Sequence, residues 1–219
     1  NAAGFCLMHV HDFNGEKFDK KKLTVMDHWL LAKLNSVIIE ATASFEVYEY
    51  AKTRAKTEQF FWHVFCDNYL EIVKNRIYNP EKRGQDAKQA AQYCLYTGLL
   101  AVLKLMAPIM PHITEAVYQE HFAKKEKCKS IHSSAWPKAD IKAIQEEDEK
   151  TGDMIVALIS AVRKTKSEKS VSLKEPIRVL TIQCKKEKQK LLEAAFDDLA
   201  GTTTSEKIVF GKGEKEVSG

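Results

Sequence analysis

Residues 58–77 read EQFFWHVFCDNYLEIVKNRI, and the fold turns on how this stretch is placed. At helical spacing Phe61, Phe65, Tyr69 and Ile72 follow one another by about one turn, and Phe60, Trp62 and Val64 widen the apolar face. The pattern predicts a helix buried on more than one side, with Phe61 and Phe65 in a core. Its polar residues are ordered too. Asp67, Asn68 and Glu71 lead into Lys74, Asn75 and Arg76, so the C-terminal end is basic, where the helix dipole favours cations. That end is free to face a partner.

Working outward, the helix begins near Tyr50 after a break at residues 46–49. It ends at Asn79-Pro80, because proline disfavours helix in the residue before it. Upstream, Thr24-x-x-Asp27 has the form of a capping box with Asp in place of Glu. It opens an amphipathic helix through Leu30, Leu34, Val37 or Ile38, Ala41 and Phe45. Downstream, a polar loop at 80–85 precedes a third helix capped by Asp86, running through Ala90, Cys94, Leu95, Leu99, Val102 and Leu105. Gly98 permits a close helix approach there, and Pro108 and Pro111 stop the helix. Proline in the first turn starts a fourth helix, to about Phe122, with Ile113, Val117 and Tyr118 or His121 on one face. After a lysine-rich link at 124–129 and a connector at 130–137 pinned by Trp136, a fifth helix spans about 146–166 on a stripe of Met154, Ile155, Leu158, Ile159 and Val162. The pattern then changes to β-rich 177–184, helical 187–200 and β-rich 207–210. The expected fold is mainly α: a helical bundle with a small C-terminal α/β appendage. Its parts are a leading segment at 1–23, the bundle at 24–140, a further helix and connector at 141–174, and a β-α-β unit at 175–219 with a frayed tail.

Composition narrows the function. The chain has 219 residues, 44% hydrophobic and 29% charged, with no apolar run near the roughly 18 residues of a membrane span. Its 34 basic and 30 acidic residues leave a net charge of +4, which permits contact with nucleic acid without demanding it. Five scattered cysteines without a CxxC pair read as reduced thiols of a cytoplasmic protein rather than as a disulfide or zinc framework. His9-x-His11 places two imidazoles on one side of an extended segment, with no third ligand to close a metal site. The chain opens on Asn1 without methionine or a signal-peptide layout, as a piece of something longer would.

Catalytic signatures are missing. The sequence has no G-x-x-x-x-G-K-[ST] loop, no G-x-G-x-x-G, no G-x-S-x-G and no H-E-x-x-H. The neighbouring carboxylates Glu146-Glu147 and Asp197-Asp198 diverge around a helix axis and read as solvated surface. What remains is a bundle with cations at its helix ends. Lys74, Arg76, Lys82 and Arg83, interleaved with Tyr78, form a candidate phosphate-facing surface of the kind that holds single-stranded RNA loops. Asp67 and Asn68 are candidate base-edge or helix-positioning groups. Trp62 and Trp136 are read as packing.

These residues also carry a resemblance. Asp27-His28-Trp29-Leu30-Leu31-Ala32-Lys33-Leu34-Asn35, then Tyr48-x-Tyr50, then Phe60-Phe61-Trp62 with Phe65-Cys66-Asp67-x-Tyr69-Leu70-Glu71, resemble the anticodon-binding region of class I aminoacyl-tRNA synthetases. The run from Met106 to Glu115, MAPIMPHITE, is similar to one shared by the valine, isoleucine and leucine branches. The Phe-Cys-Asp-x-Tyr-Leu-Glu run and Ser130-Ile131-His132 with Trp136-Pro137 look like the valyl branch, and the lack of a long heptad-patterned arm suggests its archaeal type. Gly4 stands where that branch implies arginine. The resemblance implies a fragment without catalytic site, metal or cofactor of its own. Its parent would use ATP with magnesium to charge valine tRNA, and the fragment would bind the anticodon stem-loop beside a catalytic domain of the same polypeptide. The same module from an isoleucyl, leucyl or methionyl enzyme, or a non-catalytic helical interaction module, stays open as an alternative.

Overall fold

The computed structural model describes residues 2–13 and 18–212. Residues 213–219 of the expected frayed tail lie outside them. Helices α1 (Ala2–Val10), α2 (Val25–Glu46), α3 (Tyr50–Gln59) and α4 (Leu70–Tyr78) build the first half, with the last two joined end to end by a π-helical segment, Phe60–Tyr69. Then come α5 (Pro80–Arg83), α6 (Gln85–Met106), α7 (Pro111–Lys125) and α8 (Glu146–Glu168). A terminal unit follows: β1 (Leu180–Cys184), α9 (Lys186–Glu193), α10 (Phe196–Thr203) and β2 (Ile208–Lys212). Its strands pair in parallel from Leu180 opposite Ile208 to Cys184 opposite Lys212. Parallel pairing needs a crossover, which the two short helices supply.

The capping box forms. The Thr24 N–H and hydroxyl donate to Asp27 Oδ2 at 2.8 and 2.9 Å. The stretch that decides the fold is one unbroken rod from Tyr50 to Tyr78, but its middle is π-helical, and this corrects the expected core. With i→i+5 hydrogen bonds the turn holds an extra fraction of a residue, so the buried face steps from Phe60 to Phe65 to Tyr69. Phe61 is only half buried, and Trp62 is 55% exposed rather than packed. Gly98 does admit a close approach: a Cβ there would lie 2.7 Å from the Phe65 ring. Gly152 does the same for α8 against α2, since its Cβ would fall 2.2 Å from the Trp29 indole, whose N–H donates to Asp153 at 2.8 Å. Trp136 pins the connector as expected, donating to Thr42 Oγ1 at 2.9 Å.

Other local expectations shift. The polar loop at 80–85 contains the single turn α5, and Gly84 at φ 87° swings the chain into α6. Asp86 therefore sits inside α6, paired with Lys22 at 2.6 Å, instead of capping it. On α7 the buried residues are Thr114, Tyr118 and Phe122, while Ile113 is exposed, because α6 covers that face. His9 and His11 belong to α1 and the turn after it, not to an extended segment. All five cysteines are free; burial pushes the Cys6 and Cys94 thiols up, and burial followed by the Asp67 charge pushes Cys66 up to about 11. Among the described residues no helix is long and apolar enough to cross a membrane.

Candidate nucleic-acid interface

The seven residues singled out from sequence do not converge on one surface. Arg76 is fully buried, and all its donors are used. Its Nε donates to Asp198 Oδ1 at 2.7 Å, one terminal nitrogen reaches both Asp27 oxygens at 2.9 Å, and the other reaches Thr24 Oγ1 at 2.6 Å and Asp198 Oδ2. Tyr69 adds its hydroxyl to Asp27 at 2.6 Å. Arg76 thus ties α2, α4 and α10 together and has nothing to offer a phosphate. The same contacts overturn the solvated reading of Asp198, which is buried while Asp197 stays outside. Burial alone would push the Asp198 carboxyl up, but Arg76 and then Arg83 outweigh it and hold the group below the ordinary carboxylate range.

Arg83 joins this network. It donates to Asp198 Oδ1 and Asn75 Oδ1 at 2.8 Å and to the Asp197 carbonyl at 3.1 Å. Lys74 is paired with Glu71 at 2.5 Å. Tyr78 is exposed, with its hydroxyl 3.2 Å from His9 Nε2. Lys82 is exposed and without an ion-pair partner among the described residues. Asp67 faces His63 at 3.3 Å, and the Asn68 amide donates to the His63 carbonyl at 2.5 Å, so both organise the rod itself. Only Lys74 and Tyr78 share a concavity, a cleft of about 700 Å³ that also contains Arg163 and Lys174.

A larger groove of about 790 Å³ lies between α2 and α6 and is closed by the connector leading into α8. Leu31, Leu34, Ile38 and Leu100 form its apolar floor, Tyr93 and Tyr96 stand in its wall, and Lys20, Lys104, Lys138 and Lys142 surround it. Phe18 stacks on Tyr93 with centroids 5.0 Å apart, and Lys20 Nζ sits 5.6 Å from the Tyr93 ring centre. Asn35 fastens the connector by accepting the Asp140 N–H at 2.7 Å while donating to the Leu31 carbonyl at 2.8 Å. Three acids line the same groove: Glu126 accepts the Tyr96 hydroxyl at 2.6 Å, Asp140 accepts the Lys142 N–H at 3.1 Å, and Asp148 stands on the first turn of α8. Burial, then Glu126, pushes the Tyr96 phenol up, so it stays a donor.

Unlike Lys74 and Arg83, the four groove lysines have no carboxylate within ion-pair distance among the described residues. Uncommitted ammonium groups beside aromatic planes are what phosphates and unstacked bases require. Sequence reading missed this groove, although a signal existed. Tyr93, Thr97, Leu100 and Lys104 recur at three- and four-residue spacing and so share one helix face. Among the described residues no group of three or more His, Cys, Asp and Glu side chains is placed to hold a metal.

The family model for the anticodon-binding domain of tRNA ligase matches residues 27–181. The chain is 32% identical over 217 residues to a valine–tRNA ligase of Pyrococcus furiosus, covering 99% of this chain and 24% of that protein. It is 36% identical over 181 residues to the enzyme of Methanosarcina barkeri (81% and 20%) and 35% identical over 219 residues to that of Rickettsia felis (96% and 24%). The chain therefore spans about a quarter or less of the length of these relatives.

Proposed function

Because this chain belongs to the family of anticodon-binding domains of tRNA ligases, we propose that it binds the anticodon stem-loop of valine tRNA as one module of a valine–tRNA ligase. The observation that carries the reading is the groove between α2 and α6, where four uncommitted lysines surround two tyrosines. In this reading the lysines neutralise loop phosphates and unstacked bases lie against the parts of Tyr93 and Tyr96 that Phe18 and Phe122 leave uncovered, each stacked base contributing about 1–3 kcal/mol. The module chooses the RNA. Activation of valine with ATP and magnesium, and transfer to the tRNA, belong to a catalytic domain elsewhere in the longer polypeptide.

The reading is tested by titrating the chain with valine and isoleucine tRNA stem-loops at two salt concentrations. Binding that weakens with salt, at a log-log slope of about −0.7 to −0.9 per phosphate contact, and that prefers the valine stem-loop is the expected result. Salt-sensitive binding without preference would move discrimination to the other domains. Absence of binding at low salt would refute the proposal.

A further inference from the structure

The leading helix contributes a second aromatic surface, outside the lysine groove. The Phe5 and His9 rings lie 4.5 Å apart, His9 meets Tyr78 edge-on at 5.1 Å, and Lys74 Nζ sits 5.9 Å from the Phe5 ring centre. Tyr78 keeps 57% of its surface open to solvent. Tyr78 and Lys74 also line the 700 Å³ cleft, which Arg163 and Lys174 close from the other side. Its charges are unevenly balanced. Glu71 is shared between Lys74 at 2.5 Å and Arg163 at 3.8 Å, and Lys174 has no carboxylate partner among the described residues. Asn75 presents its amide at the rim and is held there by Arg83.

We propose that this cleft is a second RNA contact that takes one unpaired nucleotide, with its base against Tyr78, which His9 supports from outside the cleft, and its phosphate among Lys74, Arg163 and Lys174. The inference rests on the reading that the partner is RNA. The cleft volume falls in the range of small-ligand sites, and the flat, exposed aromatic face beside clustered cations suits a nucleotide. Glu71 acts as a placeholder: it spaces the two cations until a phosphate oxygen displaces it.

The test uses the whole chain with two probes, a single-stranded RNA tetranucleotide carrying 2-aminopurine and the valine tRNA stem-loop. Wild type is compared with Tyr78→Ala, Tyr78→Phe, Lys174→Ala and Lys138→Ala. The expected result for the tetranucleotide is an affinity loss of about tenfold in Tyr78→Ala, near wild-type binding in Tyr78→Phe, a shallower salt slope in Lys174→Ala and the same dependence on Tyr78 when Lys138→Ala weakens the groove. Tetranucleotide binding that is absent in wild type, or that ignores Tyr78 and follows Lys138, would overturn the second contact. A stem-loop that fails to bind while the tetranucleotide still follows Tyr78 would refute the stem-loop reading and leave the cleft standing.

Discussion

The Arg76 joint and the lysine groove use the same kind of side chain for opposite ends. At the joint, two arginines meet two aspartates, with Arg76 and both acids closed to water and Arg83 at the edge, and every guanidinium donor of Arg76 has an acceptor. In the groove, four ammonium groups have no carboxylate within ion-pair distance among the described residues, although Glu126, Asp140 and Asp148 line the same space. A satisfied buried ion network fixes how helices sit on one another and has no affinity left over. Cations without partners do the reverse: they contribute little to folding and keep their charge for a ligand. The lesson is that a cation's commitment, rather than its position at a helix end, separates scaffold from site.

The comparison breaks most visibly at Arg76. Replacing it by alanine leaves Asp27 buried without a counter-charge and Asp198 with Arg83 alone, and a loss of about 3–5 kcal/mol is expected in urea unfolding. The pH dependence has a defined sign. Asp198 is held below its ordinary value in the folded chain, so its contribution to wild-type stability is present above about pH 4 and disappears as pH falls through the lowered value. Without Arg76 only Arg83 opposes the burial of Asp198, so the carboxyl is held down less and the variant loses less stability than wild type as the pH falls. The gap in urea midpoint between the two proteins should therefore hold from pH 7 to about pH 4 and narrow below it. A gap that stays constant below that pH would show that the joint does not depend on ionised Asp198.

Lys82 and Arg83, adjacent in sequence, sharpen the same distinction at smaller cost. Arg83→Ala removes three hydrogen bonds while Arg76 still serves Asp198, so about 1.5–3 kcal/mol should be lost. Lys82→Ala should change stability by less than about 0.5 kcal/mol. Thermal melts of the two single variants check this. Equal losses would mean that exposure does not distinguish these neighbours.

Much of the architecture was legible because it is written in local chemistry. Thr24 and Asp27 announce a helix start, Asn79-Pro80 announces an end, and the change from helical to alternating pattern after residue 175 marks the terminal unit. The π-segment was not legible. Phe60 and Phe61 are both aromatic, and only the widened turn decides which faces inward. Arg76 was misplaced for a different reason: its partner Asp198 lies 122 positions away, and an adjacent pair of acids carries no sign that one of them is buried. The groove was missed because its cations come from four separate stretches, Lys20, Lys104, Lys138 and Lys142, which only the packing of the connector on α2 and α6 brings together. Local pattern specifies elements well, while a site assembled from distant loops becomes visible only when charges can be paired off in space.

The groove supplies the smallest effect on folding. Lys104→Ala combined with Lys138→Ala should leave the urea midpoint within about 0.5 kcal/mol of wild type, since neither side chain holds an acid among the described residues. The same pair should make the log-log salt slope for stem-loop binding shallower by about 1.4–1.8, if each lysine answers one phosphate. Arg76→Ala inverts this pattern, losing stability while keeping the slope at any salt where it remains folded. A double lysine variant that loses stability, or an Arg76 variant that stays stable but loses slope, would exchange the roles of the two regions. Measuring both quantities on both proteins separates a charge that holds the module together from one that waits for RNA.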